Sequence, residues 1–139
     1  MSADQSYEFI DAGAGRKLER FGRHILDRPC AQAVWRPQSP PSVWRQADGF
    51  FTRDGGSRWE LRDPQLRNGW QCQLAGIQFW LKPTDFGHVG VFPEHCRSWR
   101  LAAEAIGGSS RRPAELDILN LFAYSGGATL AMARLGCRV

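Results

Sequence analysis

Lysine is almost missing from this sequence: of its 18 basic side chains, all but Lys17 and Lys82 are arginine. A bias of that kind follows from genomic base composition as readily as from phosphate recognition. The net charge of +4 is therefore a weak argument for a nucleic-acid face, and the arginines are dispersed apart from pairs such as Arg111 and Arg112. Cysteine is also scarce. Cys30, Cys72, Cys96 and Cys137 show no C-x-x-C spacing and no histidines at finger distances, which excludes a zinc module and a disulfide framework. Four reduced thiols and no bound metal are the expectation. No apolar run approaches the roughly 20 residues of a spanning helix. Met1–Gln5 has neither a basic region nor an apolar signal segment, so we expect a cytoplasmic protein with no membrane partner. Collagen-like, coiled-coil and disordered classes fail too, because hydrophobic residues make up 42% of the 139 residues and no single-sign stretch appears.

The first two thirds read as β-rich. Tyr7–Asp11 is a strand candidate ending in the turn Asp11–Gly15, followed by short segments at Leu18–Phe21 and His24–Asp27. Three prolines between Arg36 and Pro41 make that stretch a surface connection. After the turn Asp54-Gly55-Gly56, Trp59 and Leu61 alternate with Arg58, Glu60 and Arg62, as in the second arm of a hairpin. The clearest hairpin pairs Trp70, Cys72 and Leu74 with Ile77, Phe79 and Leu81 across Ala75-Gly76. A helical pattern over Glu94–Ile106 (Trp99, Leu101, Ala102, Ala105, Ile106) stops at Gly107-Gly108-Ser109-Ser110. These signals define a β-rich region, residues 1–106, that ends in a helix.

A different architecture begins at residues 114–139. Ile118–Ala123 is an apolar run broken only by Asn120, which suits a strand buried on both faces of a parallel sheet. A glycine turn follows, then an alanine-rich helix over Ala128–Leu135 closed by Gly136, with Cys137–Val139 opening a second strand. Strand, glycine turn and helix together can bring backbone amides to an anionic or zwitterionic ligand. A dinucleotide fingerprint needs G-x-G-x-x-G, whereas Gly126 and Gly127 are adjacent, which disfavours a nicotinamide or flavin oxidoreductase.

The segment Leu119-Asn-Leu-Phe-Ala-Tyr-Ser-Gly-Gly127 resembles the first cofactor motif of class I S-adenosylmethionine-dependent methyltransferases. The resemblance is nearest to a bacterial branch related to the large-subunit ribosomal RNA cytosine-5 methyltransferases. Gly15–Gly22, Leu26–Pro29, Lys82–His88 and Gly90–Glu94 are similar to further blocks of that branch, in the same order, so nearly the whole chain is covered. The resemblance implies an α+β/α/β architecture: a β-rich amino-terminal region, then the first β-α unit of a Rossmann-like domain that binds S-adenosyl-L-methionine. It places Phe122, Ala123, Tyr124, Ser125, Gly126 and Gly127 at the cofactor, and adds Phe92, Glu94 and His95 from a segment that closes over it in relatives. His95 stands where relatives often carry glutamine.

Each of these letters also has a plainer explanation. Phe122 and Tyr124 can face the sulfonium or pack in a core; Ser125 can bond the cofactor carboxylate or cap the following helix. Pro93-Glu94 suits a helix start with an acid in its first turn, and adjacent Glu94, His95 and Cys96 cannot readily converge as a hydrolytic triad. The resemblance also implies an acid on the second strand that holds the cofactor ribose, together with a downstream acceptor motif; neither lies before Val139. We therefore expect the amino-terminal piece of a larger methyltransferase, inactive by itself, whose methyl acceptor is RNA, such as rRNA. The rival readings are a non-catalytic RNA- or partner-binding module and, behind it, a dinucleotide-binding oxidoreductase fragment.

Overall fold

The computed structural model describes residues 7–139; the Met1–Gln5 start discussed above lies outside them. The described residues divide into two compact units, one running up to residue 73 and taking in 78–90, the other of residues 74–77 and 91–139.

The first unit is built on a five-stranded mixed sheet in the order β1-β2-β3-β4-β5. Its strands are β1 (Tyr7–Gly13), β2 (Arg16–Phe21), β3 (His24–Pro29), β4 (Gly49–Thr52) and β5 (Arg58–Leu61). β1, β2 and β3 pair antiparallel through two tight turns, Ala14-Gly15 and Gly22-Arg23. The first turn comes later than expected. Asp11 is not in it: a register shift between Phe9 and Asp11 bulges the strand there and buries Asp11 and Ala12 instead. β4 lies parallel to β3 and antiparallel to β5. The short helix α1 (Pro41–Trp44) does not stand out in the sequence, whereas β4 is the first arm of the hairpin whose second arm is β5, although Gly-Phe-Phe-Thr itself shows no alternation.

Leu18, Phe21, Leu26 and Phe51 form the fully buried centre of this unit. Two charged groups share it. Glu19 is 0% exposed and accepts from Arg28 Nε at 3.0 Å and Nη2 at 2.5 Å, from Lys17 Nζ at 3.1 Å and from Tyr7 Oη at 2.9 Å. Arg28 also donates to the Gly87 carbonyl at 3.3 Å. Such a cluster is tolerated only because every charge has partners. At the bulge, the Asp11 carboxylate accepts from the backbone N–H groups of Ala12, Gln38 and Ser39 and from Trp44 Nε1, which ties the proline-rich segment to the sheet. Burial pulls the Asp11 carboxyl upward, but those four hydrogen bonds outweigh it and hold it below the ordinary range. His24 is structural. Its ring meets Trp70 edge-on at 5.3 Å, and burial lowers its pKa against the pull of Asp48.

The predicted hairpin is present as a separate two-stranded ladder, β6 (Trp70–Leu74) and β7 (Ile77–Leu81). Positive φ at both Ala75 and Gly76 gives the turn type that matches strand twist.

The second unit holds the helices α2 (His95–Gly107) and α3 (Gly127–Ala133). α2 buries Trp99 and Ile106, and α3 buries Gly127 and Met132. The buried parallel strand expected at Ile118–Ala123 does not form. Only one parallel bridge, Asp117 to Arg138, exists there, and Leu119 and Phe122 are 82% and 92% exposed. A parallel strand takes its hydrogen bonds from neighbours far along the chain, and among the described residues only the Arg138 segment supplies them. The bridge is fastened by Arg138, whose Nε and Nη2 reach both Asp117 carboxylate oxygens at 2.6 and 3.0 Å. That hydrogen bonding lowers the Asp117 pKa and raises that of Arg138. No helix among the described residues is long and apolar enough to cross a membrane.

Candidate functional site

The glycine turn sits between the exposed apolar run and α3. Gly126 N donates to the Ala123 carbonyl at 2.7 Å, so Ala123–Gly126 is a closed turn whose first central residue is Tyr124. Tyr124 has φ 50°, and Gly126, the residue before α3, has φ 83°. Glycine is needed at 126 for the backbone angle alone, since a Cβ built there meets nothing within 4 Å. That open side leaves the turn accessible to a ligand. Tyr124 has no such freedom: a positive φ costs a side-chain-bearing residue about 1–2 kcal/mol.

The residues before α2 face this turn. The rings of Phe92 and Tyr124 lie 4.8 Å apart at 33°, and Phe92 also meets His95 at 5.4 Å. Ring pairs of this kind contribute about 0.5–1.5 kcal/mol, enough to offset much of the strain at Tyr124. Around them lies a shallow cleft of ≈ 30 Å³ lined by Val91, Phe92, His95 and Trp99 on one side, and by Phe122–Ser125, Gly127 and Ala128 on the other. A volume of that size admits a water or two, so the cleft does not enclose a larger ligand.

Most of the residues singled out from the sequence are brought together here: Phe92, His95, Phe122, Ala123, Tyr124, Ser125 and Gly127 line the cleft, and Gly126 forms its turn. Glu94 does not. It is exposed at the residue preceding α2, makes no capping bond, and leaves no acid in the first turn of that helix, one residue later than the Pro93-Glu94 pattern suggests. Ser125 does not cap α3; Gly126 takes that position without a side-chain bond, and the helix begins at Gly127 rather than Ala128. Phe122 is not a core residue either, as its exposure shows. Instead Asn120, the one polar residue of the apolar run, ties it to α3 through Nδ2 to Thr129 Oγ1 at 2.9 Å. Burial pushes the Cys96 thiol up, with Arg100 opposing, so it is not an activated nucleophile and the triad idea finds no support. Among the described residues no cluster of three metal-ligating side chains occurs.

Val91, Trp99 and Ala128 also line the cleft and were not identified from the sequence as site residues. Trp99 was legible only as part of the helical pattern; its place one turn after His95 puts both on one face of α2.

Among solved structures, the chain is similar to the SAM-dependent methyltransferase from Agrobacterium tumefaciens, with 41% sequence identity and a TM-score of 0.84. The match covers 98% of this chain and 43% of that one, so the chain spans less than half the length of the protein it matches. No family model matches the chain.

Proposed function

We propose that this chain is part of an S-adenosylmethionine-dependent methyltransferase and that the turn Tyr124–Gly127 meets the methionine end of the cofactor. The observation that carries this reading is the 41% identity over 98% of the chain to a SAM-dependent methyltransferase. The geometry of the turn is compatible. Its open face at Gly126 allows close backbone approach, and the Phe92 and Tyr124 rings offer π faces suited to a sulfonium, a contact worth about 0.5–2 kcal/mol. Ser125, exposed and free of a capping role, is the residue we assign to donate to the cofactor carboxylate. When bound, the cofactor supplies an electrophilic methyl group; the residues described here hold and orient it.

The methyl acceptor we propose is RNA, such as rRNA, and the support is the resemblance of the five sequence blocks together with the net charge of +4. The exposed run beside the turn is not braced by a sheet, so the 139-residue chain alone should bind S-adenosylmethionine weakly and transfer no methyl group. Calorimetry with that chain checks this, and micromolar binding would refute it. Tritium transfer from labelled cofactor into RNA, protein and small-molecule pools, measured with the protein purified from its source cells, tests the whole reading. Label in RNA that disappears in Gly126→Val supports it; label in protein or small molecules removes the RNA acceptor, and no label in any pool removes the activity.

A further inference from the structure

We propose that Phe92 is a positioning residue that holds the cofactor turn in shape through Tyr124, rather than only a wall of the cleft. The inference rests on the reading of Tyr124–Gly127 as the cofactor turn, and it starts from an oddity in the backbone. In the turn Ala123–Gly126, φ is positive at the first central residue and not at the second, a pattern that ordinarily places glycine first. Here the first central residue is Tyr124, the bulkiest side chain of the turn, while the glycines come after it.

A tyrosine in that conformation persists only where its surroundings hold it. Tyr124 is 57% exposed, so burial in a core does not supply the hold. The ring of Phe92 supplies it: it lies 4.8 Å away and is itself set by the segment leading into α2, where His95 N donates to the Phe92 carbonyl at 3.1 Å and Cys96 N to the Pro93 carbonyl at 3.0 Å. Residues some thirty positions apart thereby fix one turn. Phe92 acts on the backbone at 125–127 by constraining the φ of Tyr124, and the aromatic pair sets the turn before any ligand arrives.

Nuclear magnetic resonance of the isotope-labelled 139-residue chain tests this without a ligand. In the parent chain the amide–Hα contact within Tyr124 is strong, as a positive φ demands, and the Gly126 amide exchanges slowly. Phe92→Ala should weaken that contact and speed Gly126 exchange by about two- to twelvefold, the factor a ring pair of this kind is worth. Phe92→Leu, which keeps apolar bulk but not the ring, should do the same if Phe92→Ala fails to fold, and Phe92→Tyr should restore the parent behaviour. Tyr124→Gly supplies a residue that holds positive φ unaided, so on that background Phe92→Ala should leave Gly126 exchange unchanged. A turn indifferent to the loss of the ring at 92, or equally sensitive to it with glycine at 124, overturns the proposal. Titrating S-adenosylhomocysteine into the same samples reports on the cofactor reading separately: no shifts at residues 124–127 would remove that reading while the ring effect still stands or falls by itself.

Discussion

The two units solve the problem of a polar backbone and an apolar core in opposite ways. The first closes on itself, with neighbouring strands paired through short turns, Leu18, Phe21, Leu26 and Phe51 fully buried, and the Glu19–Arg28 pair sealed among them. In the second, the corresponding apolar letters lie in the open: Leu119, Leu121 and Phe122 are exposed beside a single parallel bridge. Antiparallel hairpins find their partners within a few residues, whereas parallel pairing waits for a strand supplied from elsewhere. The apolar run of the second unit stays exposed because the described residues give it only the Arg138 segment to pair with.

The largest expected effect lies in the closed unit. Glu19→Ala strands Arg28 and Lys17 without their buried acceptor and should cost about 3–5 kcal/mol, read by chemical denaturation. A value under 1 kcal/mol would mean that the cluster is not sealed. Next comes Gly87→Ala, whose added Cβ would lie 2.6 Å from the Phe51 ring at a φ of 80°. Phe51 is fully buried and cannot swing away, so a loss of about 1–3 kcal/mol is expected from overpacking, and a smaller melting shift would show that the sheet relaxes.

A third experiment uses acid. The Asp11 carboxyl lies below its ordinary value when folded, so its stabilisation is present above the unfolded pKa and is lost as pH falls through the folded one. Asp27 works against it: burial raises its carboxyl despite the Arg16 partner at 2.6 Å, and its contribution to stability grows as the pH falls. Asp11→Asn should therefore be less stable than the parent at neutral pH, by about 1–2 kcal/mol, with the gap closing at acid pH. A gap that stays constant down to the acid end would show that the loop is not held by the charge. The smallest effect belongs to the open unit, where Leu121→Ala should change stability by no more than about 0.5 kcal/mol, against about 2–5 kcal/mol for Leu26→Ala. Equal losses would erase the contrast between the units.

What was legible in the sequence tracks the range of the interaction that decides it. Trp70–Leu74 and Ile77–Leu81, with Ala75-Gly76 between them, are visible because alternation and turn chemistry are local. α2 is found within one residue at each end for the same reason. β4 is implied only as the arm before Asp54-Gly55-Gly56, and its pairing with β3 goes unseen because that strand lies about twenty residues away. At the site, the glycine turn and its neighbours announce themselves as a motif, yet Ser125 as a cap and Glu94 in a first helical turn are both displaced by a single residue of helix boundary.

The amino-acid order by itself determined the β-rich first region, its tight turns, the helix over 95–107 and the adjacent glycines of the turn, since each depends on residues within a few positions. Tertiary structure decided that Glu19 and Asp11 are buried and bonded, that Phe122 is exposed, and that Phe92 faces Tyr124. Those outcomes depend on which distant groups arrive to accept a charge, complete a sheet or stack against a ring, and no local pattern carries that information.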